Sequence, residues 1–425
     1  MNYNELKTFI NTKSIDETLH LVSCLDDLNN EKSRYLSILD SAFSIFKDGD
    51  YHIISSPGRT EIGGNHTDHQ HGHVLAAAVN IDNVCACKTN DENIVRFKDK
   101  AFNIAEIDLN NLDINVKEYN TSESLIKGVA FKLKEMGYII GGFDCYCDSK
   151  VLVGSGISSS ACFEVMIGQI FNTLYNNNSI SKKELAIIGM FAENEYFGKP
   201  SGLLDQMTIA QGGFVAINFK DPNNPEIESY DFSFSDYGYD LLLINTKGDH
   251  ADLSHEYAAI PNEIKEVSKC LNVEYLADSS YDKLIDNFNS IRDTVKNDRS
   301  ILRSMHFFKE DKRAILQKEA VRNKDINKLI ELINNSGRSS YMYLQNVYPA
   351  SRPNSQALAL ALCLTDNFLE EKGAFRVHGG GFDGTIQVII PSNMTKDYLK
   401  LIEPIFGQDC VLFIKTRPVG TFTVI

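Results

Sequence analysis

The chain has 425 residues, 43% of them hydrophobic and 23% charged, which is the composition of a folded globular protein with a large core. It carries 42 lysines and arginines against 57 aspartates and glutamates, and the net charge of −15 argues against a nucleic-acid partner. The segment from Met1 to Lys13 lacks an apolar signal-peptide core, and no apolar run approaches the length of a membrane span. We therefore expect a cytoplasmic protein without a membrane partner. Among its nine scattered cysteines, Cys85, Cys87, Cys145 and Cys147 lie in strand-like runs and are expected to be reduced core thiols, with metal binding as the alternative.

The first fifty residues are polar, with apolar residues at helical spacing, as in Leu36, Leu39 and Phe43. This pattern predicts a helical lead-in over residues 1–50. None of its residues indicates chemistry.

A strand predicted over residues 51–55 ends near Pro57, and a glycine-rich stretch follows over residues 58–69. This stretch combines side chains that can donate and accept many hydrogen bonds, namely Arg59, Glu61, Asn65, His66, Asp68 and His69. We interpret it as a loop that binds a hydroxyl-rich ligand such as a sugar. A metal site at His66, His69 and His71 is the alternative, although the stretch has no cysteine and no regular ligand spacing.

Residues 154–161 read Gly-Ser-Gly-Ile-Ser-Ser-Ser-Ala and precede a broad apolar stripe at helical spacing. Two glycines one residue apart let the backbone approach a ligand closely, and the serines stand where a helix N-terminus accepts capping oxygens. The free N–H groups of such a terminus bind anions, so the stretch predicts a phosphate-binding loop. An ordinary capped helix after a glycine turn is the alternative.

Asp205 stands among apolar residues, shortly after a helix break at residues 198–202. A carboxylate in such surroundings is usually paired or functional, although a helix N-cap would also explain it. Further along, residues 221–225 form the clearest turn cluster and mark a domain boundary. The triple glycine in residues 376–384 predicts a second close approach of backbone to a ligand.

Several of these stretches, in this order, resemble the galactokinases of the GHMP kinase superfamily. Residues 57–68 resemble the galactokinase signature, in which Gly-Arg precedes a loop that ends in Glu-His-Thr-Asp. Residues 154–161 are similar to the Gly-Leu-Ser-Ser-Ser-Ala loop that binds ATP, and residues 376–384 are similar to the third, glycine-rich motif. Ala192-Glu193 with Asp205-Gln206, and residues 245–257, match further segments, so the resemblance extends from about residue 50 onward.

The resemblance implies a two-domain α+β fold of the GHMP type, with the active site between the domains. We place the domains at residues 1–222 and 223–425, at the turn cluster. The resemblance also implies ATP, Mg²⁺ and transfer of the γ-phosphoryl group to the anomeric hydroxyl of galactose.

The resemblance assigns roles to individual positions of this chain. Asp205 is the implied catalytic base, and Arg59 is the partner that stabilises charge. The implied Mg²⁺ ligands are Ser160 and Glu193. The implied sugar contacts are Asn65, His66, Asp68, Gly202 and Tyr257. The implied nucleotide contacts are Gly154, Ser155, Gly156, Ser158, Ser159 and Ser160.

The chain departs from the family pattern at several positions. Asn65 stands where galactokinases carry Glu, and residues 60–63 read Thr-Glu-Ile-Gly in place of Val-Asn-Leu-Ile. Leu152 replaces a proline and Asp383 replaces a glycine. The change at Asn65 leaves the identity of the sugar open.

Two alternatives to galactokinase activity remain at this point. One is a kinase for a related sugar, such as an amino-galactose or an arabinose. The other is a catalytically silent sugar sensor of the same fold that binds a transcriptional repressor. The serine loop is complete and Asp205 is present, which favours an enzyme. The oligomeric state stays open, and a monomer fits the sequence.

Overall fold

The computed structural model describes residues 1–100, 104–151, 156–199, 201–222, 224–248, 253–382 and 384–425. The helices, in chain order, are α1 (Tyr3–Ile10), α2 (Asp16–Ser23), α3 (Asn29–Phe46), α4 (Ser122–Glu135), α5 (Ser159–Tyr175), α6 (Lys182–Phe191), α7 (Leu204–Gln211), α8 (Ser254–Cys270), α9 (Tyr281–Asp286), α10 (Phe288–Val295), α11 (Asp298–Arg322), α12 (Ile326–Ser339), α13 (Ala357–Leu369) and α14 (Thr395–Phe406). The strands, in chain order, are β1 (His52–Gly63), β2 (His73–Thr89), β3 (Ile94–Asp99), β4 (Ile107–Asp108), β5 (Phe143–Ser149), β6 (Phe214–Asn218), β7 (Glu226–Tyr230), β8 (Tyr239–Asn245), β9 (Ala374–Val377), β10 (Thr385–Pro391), β11 (Val411–Ile414) and β12 (Phe422–Thr423).

Eight strands of the described ranges form one sheet around the pair β1 and β2. The order is β12-β1-β2-β5-β3-β4, and β6 and β7 extend from the other half of β2. β2 is long enough to serve two partners, since residues 83–89 pair with β5 and residues 73–77 pair with β6. Neighbouring strands are antiparallel, except for the parallel pair β3 and β5.

The two faces of this sheet are covered by different helices, because alternate residues of a strand point to opposite sides. The face with Ile54 and Cys85 packs against α4, α5, α6 and α7 in the main core. The face with Ile53 and Val84 packs against α1, α2 and α3. These three helices occupy the predicted lead-in and bury one face of the sheet.

The first strand is longer than the sequence suggests. A strand ending near Pro57 was expected, with a loop over residues 58–69, but β1 continues to Gly63. Its pairing with β2 shifts register between Pro57 and Arg59, and a bulge of this kind accommodates a proline, which has no N–H to donate. The Arg59 N–H donates to the carbonyl of Ile157 at 3.1 Å. The bulge therefore holds Arg59 beside the segment that precedes α5.

A second, antiparallel sheet has the order β11-β8-β10-β9. One of its faces packs against α13 and α14 around Leu242 and Ile386. The connection between β9 and β10 carries the triple glycine close to the end of β1, where Gln387 Nε2 donates to Thr60 Oγ1 at 2.7 Å. The predicted division between residues 222 and 223 lies between β6 and β7, which pair with each other, and it stays a prediction.

All nine cysteines are free thiols, as expected, and most of them are buried. The register of β2 and β5 sets Cys85 opposite Cys147 and Cys87 opposite Cys145, inside the main core. None of the helices in the described ranges is both long and apolar enough to cross a membrane.

Candidate active site

Arg59 and Asp205 form an ion pair at the centre of the site. Arg59 Nε donates to Asp205 Oδ1 at 2.6 Å, and Nη2 donates to Oδ2 at 2.9 Å, in the two-pronged geometry that makes such pairs strong. Arg59 Nη1 donates to the carbonyl of Gly156 at 2.6 Å. This pair therefore joins β1, the first turn of α7 and the glycine-serine loop.

Asp205 is available to a ligand and is charged. Its side chain is 30% exposed, and the N-cap of α7 is Leu203, so the alternative that Asp205 is the helix cap is wrong. Burial alone would raise the pKa of Asp205, but Arg59 and the Ser158 hydroxyl outweigh it and hold the pKa below its usual value. Asp205 is consequently a carboxylate near neutral pH and a hydrogen-bond acceptor.

The serines at the start of α5 donate to carboxylates instead of capping the helix. Ser158 is the N-cap residue but its side chain makes no capping bond, because a left-handed backbone (φ +62°) directs its hydroxyl to Asp205 Oδ2. Ser160 Oγ donates to Glu193 Oε1 at 2.7 Å. The expectation that the serine oxygens cap α5 is wrong for these two residues. Gly154 and Ser155 lie outside the described residues.

Glu193 is 2% exposed and lies in a π-helical turn over Ala192–Phe197. Such irregular turns are frequent at functional sites. Besides the Ser160 hydroxyl, Glu193 Oε1 accepts a hydrogen bond from Lys199 Nζ at 2.7 Å. Glu193 Oε2 accepts from Gln206 Nε2 at 2.9 Å. The structure thus brings the two predicted metal ligands into contact and adds a lysine to them.

Gln206 also donates to Glu164 Oε2 at 3.0 Å, so one amide bridges two buried carboxyl groups. Burial and the charge of Glu193 raise the pKa of Glu164 well above its usual value. For Lys199, burial alone would lower the pKa, but Glu193 outweighs it and the pKa is raised. The cluster therefore sets the carboxyl groups of Glu164 and Glu193 beside the ammonium group of Lys199.

Asn65 is 1% exposed, and protein groups use its whole side chain. Its Nδ2 donates to Glu61 Oε1 at 3.0 Å and to the carbonyl of Gly379 at 2.8 Å. Its Oδ1 accepts from Asn346 Nδ2 at 3.0 Å and from Ser340 Oγ at 3.4 Å. The amide therefore connects the end of β1 to the triple glycine, and its contact with a sugar stays a prediction.

Glu61 is held beside Asn65 by a fully buried arginine. Arg376 Nη2 donates to Glu61 Oε1 at 2.6 Å. Burial raises the pKa of Glu61, although Arg376 and Arg59 act against it. The strand β1 thus supplies a carboxyl group four residues before the position where galactokinases carry theirs.

His66 and Tyr257 both contact the triple glycine. The carbonyl of Gly380 accepts from His66 Nε2 at 3.2 Å, and the carbonyl of Gly381 accepts from the Tyr257 hydroxyl at 3.0 Å. Burial, with a smaller contribution from His69, lowers the pKa of His66 to about 3, so its ring is neutral. These contacts orient the glycine-rich connection over the site.

Gly202 lies directly beside the side chain of Asp68. A Cβ atom on Gly202 would lie 2.5 Å from Asp68 Oδ2, which is shorter than any normal contact. The glycine therefore permits a close approach of the segment before α7 to Asp68. Both residues occupy the region that the resemblance assigns to the sugar.

Two cavities meet at the ion pair, and Arg59, Asp205, Gly379 and Gly380 line both of them. The first has a volume of 170 Å³ and is also lined by Glu61, Asn65, His66, Asp68 and Gly202. The second has a volume of 320 Å³ and is also lined by Gly156, Ser158, Ser159, Ser160, Lys199 and Tyr257. Tyr257 thus lines the second cavity, although the resemblance assigns it to the sugar. A larger cavity of 650 Å³ lies elsewhere, between Asn334 and Met394.

Sequence reasoning missed Lys199 and His378 as residues of this site. Lys199 lies in the helix break between Glu193 and Asp205, and a cation between two acidic candidates is a signal that was present. His378 lines the second cavity, and its buried Nδ1 has no hydrogen-bond partner among the described residues. No pattern in the sequence distinguishes His378 from a core residue.

The histidine-rich stretch forms no metal centre within the described ranges, where no three His, Cys, Asp or Glu side chains are grouped for one. His66 and His69 lie 5.8 Å apart between ring centres, and His71 stacks on Tyr275 instead.

The family model "GHMP kinases N terminal domain" matches residues 124–213, and the "Galactokinase galactose-binding signature" matches residues 43–89. Galactokinase of Streptococcus suis is 29% identical over 335 residues, which are 77% of this chain and 82% of that protein. Galactokinase of Lactococcus lactis subsp. lactis is 26% identical over 390 residues, which are 89% of this chain and 93% of that protein.

Solved structures show the same fold. Galactokinase of Lactococcus lactis in complex with galactose superposes with a TM-score of 0.76 at 22% identity, covering 91% of this chain and 99% of that one. Mevalonate kinase of Methanococcus jannaschii superposes with a TM-score of 0.61 at 16% identity, covering 87% of this chain and 99% of that one. These likenesses confirm the predicted α+β fold of the GHMP type.

The fold and the matched models point to one class: residues 124–213 match the N-terminal domain of the GHMP kinases, phosphotransferases that use ATP, and the chain has the fold of such kinases. Within that class its galactose-binding signature and its relatives along most of its length are those of galactokinases. The predicted kinase activity is confirmed at this level. The roles of individual site residues stay predictions.

Proposed function

We propose that the protein transfers the γ-phosphoryl group of ATP to the C1 hydroxyl of galactose, giving galactose 1-phosphate and ADP. One observation carries the proposal: the Arg59–Asp205 pair stands where a small cavity meets a larger one. In this arrangement the sugar occupies the 170 Å³ cavity and the phosphate chain occupies the 320 Å³ cavity. The reacting oxygen and phosphorus then meet at the ion pair.

The walls of the smaller cavity suit a sugar. They present the carboxyl groups of Glu61 and Asp68, which offer acceptors for hydroxyl groups, and the neutral imidazole of His66, whose one N–H is used by the carbonyl of Gly380. A carboxylate that accepts from a hydroxyl makes a stronger bond than a neutral acceptor does.

Asp205 orients the C1 hydroxyl and takes its proton. In the transfer, the C1 oxygen bonds to the γ-phosphorus, the bond from that phosphorus to the β–γ bridging oxygen breaks, and the proton passes to Asp205. The lowered pKa of Asp205 makes it a weak base. This suits a loose transition state, in which positioning and charge stabilisation contribute more than early proton removal.

Arg59 keeps Asp205 negatively charged and stabilises the negative charge of the phosphate chain, beside which the glycine-serine loop lies. The bidentate contact keeps Asp205 ionised and fixes its direction, so that the carboxylate is preorganised. The guanidinium also lies at the wall of the phosphate cavity, where it stabilises negative charge that develops during transfer. The loop glycine Gly156 keeps the backbone close to that cavity.

Mg²⁺ is the proposed metal, held by Ser160 and Glu193. The donor set fits, since Mg²⁺ prefers hard oxygen ligands and is usually bound by few protein side chains together with phosphate oxygens. When bound, the ion supplies charge neutralisation of the phosphate chain. A cytoplasmic location and a monomeric state remain predictions.

The experiment is a coupled ADP-release assay with ATP, Mg²⁺ and a panel of sugars: galactose, 6-deoxygalactose, galactosamine, arabinose and glucose. We expect the highest kcat/KM with galactose and a product phosphorylated at C1, identified by ³¹P NMR. A higher kcat/KM with arabinose or galactosamine would reassign the substrate. Sugar binding without ADP release in any mixture would instead favour the sensor.

A further inference from the structure

In the proposed arrangement the 320 Å³ cavity binds the strongly anionic phosphate chain, yet few of its lining residues are positively charged. Among its described lining residues, only Arg59 and Lys199 carry a permanent positive charge. Arg59 uses three of its five N–H donors, two for Asp205 and one for the carbonyl of Gly156. Its side chain is 10% exposed whereas that of Lys199 is 57% exposed, so Lys199 is the cation that reaches the open part of this cavity.

Within the described residues Lys199 makes one side-chain hydrogen bond, to Glu193 Oε1 at 2.7 Å. An ammonium group has three N–H donors, so this contact leaves two for a ligand. The side chain is 57% exposed, whereas Glu193 is 2% exposed. Lys199 thus projects from the turn after the π-helical segment into the open part of the cavity.

Glu193 does not depend on Lys199 for its hydrogen bonds. Its Oε1 also accepts from Ser160, and its Oε2 accepts from Gln206. A lysine whose only function is to satisfy a buried carboxylate would be redundant here. Because Glu193 is also a proposed Mg²⁺ ligand, the ammonium group and the metal compete for the same oxygen.

We propose that Lys199 is a phosphate-contacting residue, whose ammonium group binds the phosphate chain of the nucleotide in the 320 Å³ cavity. In the absence of metal it bridges Glu193 and the phosphates. When Glu193 is used for metal binding, Lys199 turns fully to the phosphate oxygens. The inference rests on the proposed placement of the nucleotide, and it adds a cation to the predicted nucleotide contacts.

The test is ADP binding to the full chain by isothermal titration calorimetry, first with EDTA and then across a Mg²⁺ series. We expect Lys199→Met to weaken metal-free ADP binding about tenfold, the worth of one charge-assisted hydrogen bond. In Lys199→Met we also expect a lower Mg²⁺ concentration to give the half-maximal effect on ADP binding, because the ammonium group no longer competes with the metal for Glu193. Lys199→Arg should keep metal-free ADP binding within about threefold.

Lys183→Met is the matched control, since Lys183 lies on α6 and bonds the side chain of Asn224 away from the cavity. It should leave both measurements unchanged. If Lys199→Met lowers the Mg²⁺ requirement but leaves metal-free ADP binding unchanged, Lys199 is only a partner of Glu193 and the proposal fails.

Lys199→Gln serves as a second variant if the methionine disturbs the turn, and thermal unfolding checks both. ADP binding involves no sugar. A failure of this proposal is therefore distinguishable from a wrong assignment of galactose, which only the sugar panel detects.

Discussion

At the scale of single residues, the site is defined by carboxyl groups with different partners. Against the effect of burial, an arginine and a serine lower the pKa of Asp205, whereas burial and Glu193 raise the pKa of Glu164. Glu193 is buried but has three donors around its two oxygens. Their environments therefore distinguish Asp205, the proposed base, and Glu193, the proposed metal ligand, from Glu164 within one small region.

Asp205→Asn is expected to lower kcat by roughly 10²- to 10⁴-fold, the usual worth of general-base and orienting contacts. The amide has nearly the same shape but cannot take the C1 proton. ATP binding should stay nearly unchanged, as measured by calorimetry. A variant that keeps more than about a tenth of the wild-type kcat would show that Asp205 only anchors Arg59.

Asn65→Glu is expected to destabilise the protein and weaken sugar binding, because the new carboxylate would meet Glu61, which now contacts Asn65 at 3.0 Å. The double variant Glu61→Asn with Asn65→Glu restores the residue types of the family at both positions. We expect it to recover both properties, with a stronger preference for galactose over 6-deoxygalactose.

The measurements for this pair are Tm and the ratio of kcat/KM for galactose and 6-deoxygalactose. A direct contact of residue 65 with the far hydroxyl would change the ratio about fivefold, equivalent to about 1 kcal/mol. If the wild type, Asn65→Glu and the double variant agree within about twofold in this ratio, Asn65 does not contact the sugar. Equal Tm values would further show that the two side chains are not coupled.

At the scale of elements, the functional groups come from places where helices and strands begin or end. Arg59 follows a bulge in β1, Ser158 precedes α5, and Asp205 is in the first turn of α7. Glu193 lies in the π-helical turn after α6. Such positions are held by rigid elements while their side chains stay accessible, which suits a preorganised site.

Gly156→Val tests the loop before α5. Gly156 has φ +78°, a conformation that valine rarely adopts, and a Cβ atom there would lie 2.9 Å from His378 Nδ1. We expect KM for ATP to rise at least tenfold while sugar affinity changes little, because the strain is local to the phosphate cavity.

Circular dichroism and thermal unfolding supply the control for this variant. Gly238→Val is a matched substitution, since Gly238 also has a positive φ but no atom within 4 Å of the added Cβ position. Equal weakening of ATP and sugar binding in Gly156→Val would count against a phosphate-binding role for the loop.

The sequence predicted much of the site, because glycines and charged residues mark it at short range. Arg59 and Asp205 were assigned as partners, and the structure places them in a bidentate contact. The directions of side chains could be predicted less well from the sequence. Ser158 turns to Asp205 because of its left-handed backbone, and Asn65 is used by the protein through groups about 280 residues distant, such as Asn346.

The elements were predictable where one periodicity dominates, as in α4 and α5. The end of β1 was misjudged because Pro57 and Gly58 usually interrupt a strand, and only the pairing with β2 keeps the strand intact. Local preference was overruled there by a long-range partner.

At the scale of the whole molecule, a buried ion network joins distant segments. Asp82 on β2 accepts from Arg34 of α3 at 2.6 Å and from Arg417, after β11, at 3.3 Å. Ser55 on β1 donates to the same carboxylate at 2.5 Å. The network connects the helical lead-in, the central strands and the segment before β12.

Asp82→Asn is expected to lower the free energy of unfolding at pH 7 by about 3–5 kcal/mol, since it leaves two buried guanidinium groups poorly compensated. Asp40→Asn is the control, because its pair with Lys7 is largely exposed and contributes little. Urea unfolding of each variant measures the difference. A loss below about 1 kcal/mol for Asp82→Asn would show that the network adds no net stability.

The same network predicts an acid dependence. Burial alone would raise the pKa of Asp82, but Arg34 and Arg417 outweigh it and lower the pKa. A depressed pKa contributes stability that is complete above the unfolded value, about 3.9, and is lost as the pH falls through the folded value. The difference in unfolding free energy between wild type and Asp82→Asn should therefore shrink below about pH 4.

The small strand β12 has a consequence for how the protein is made. It pairs with β1, and the Thr421 hydroxyl meets that of Ser56, 365 residues away in the chain. At roughly 5–20 residues per second, a ribosome needs roughly 20–70 seconds to supply that partner after Ser56 has been made. During that time the edge of β1 that pairs with β12 has no partner strand. We therefore expect folding on the ribosome to depend on chaperones that shield this strand.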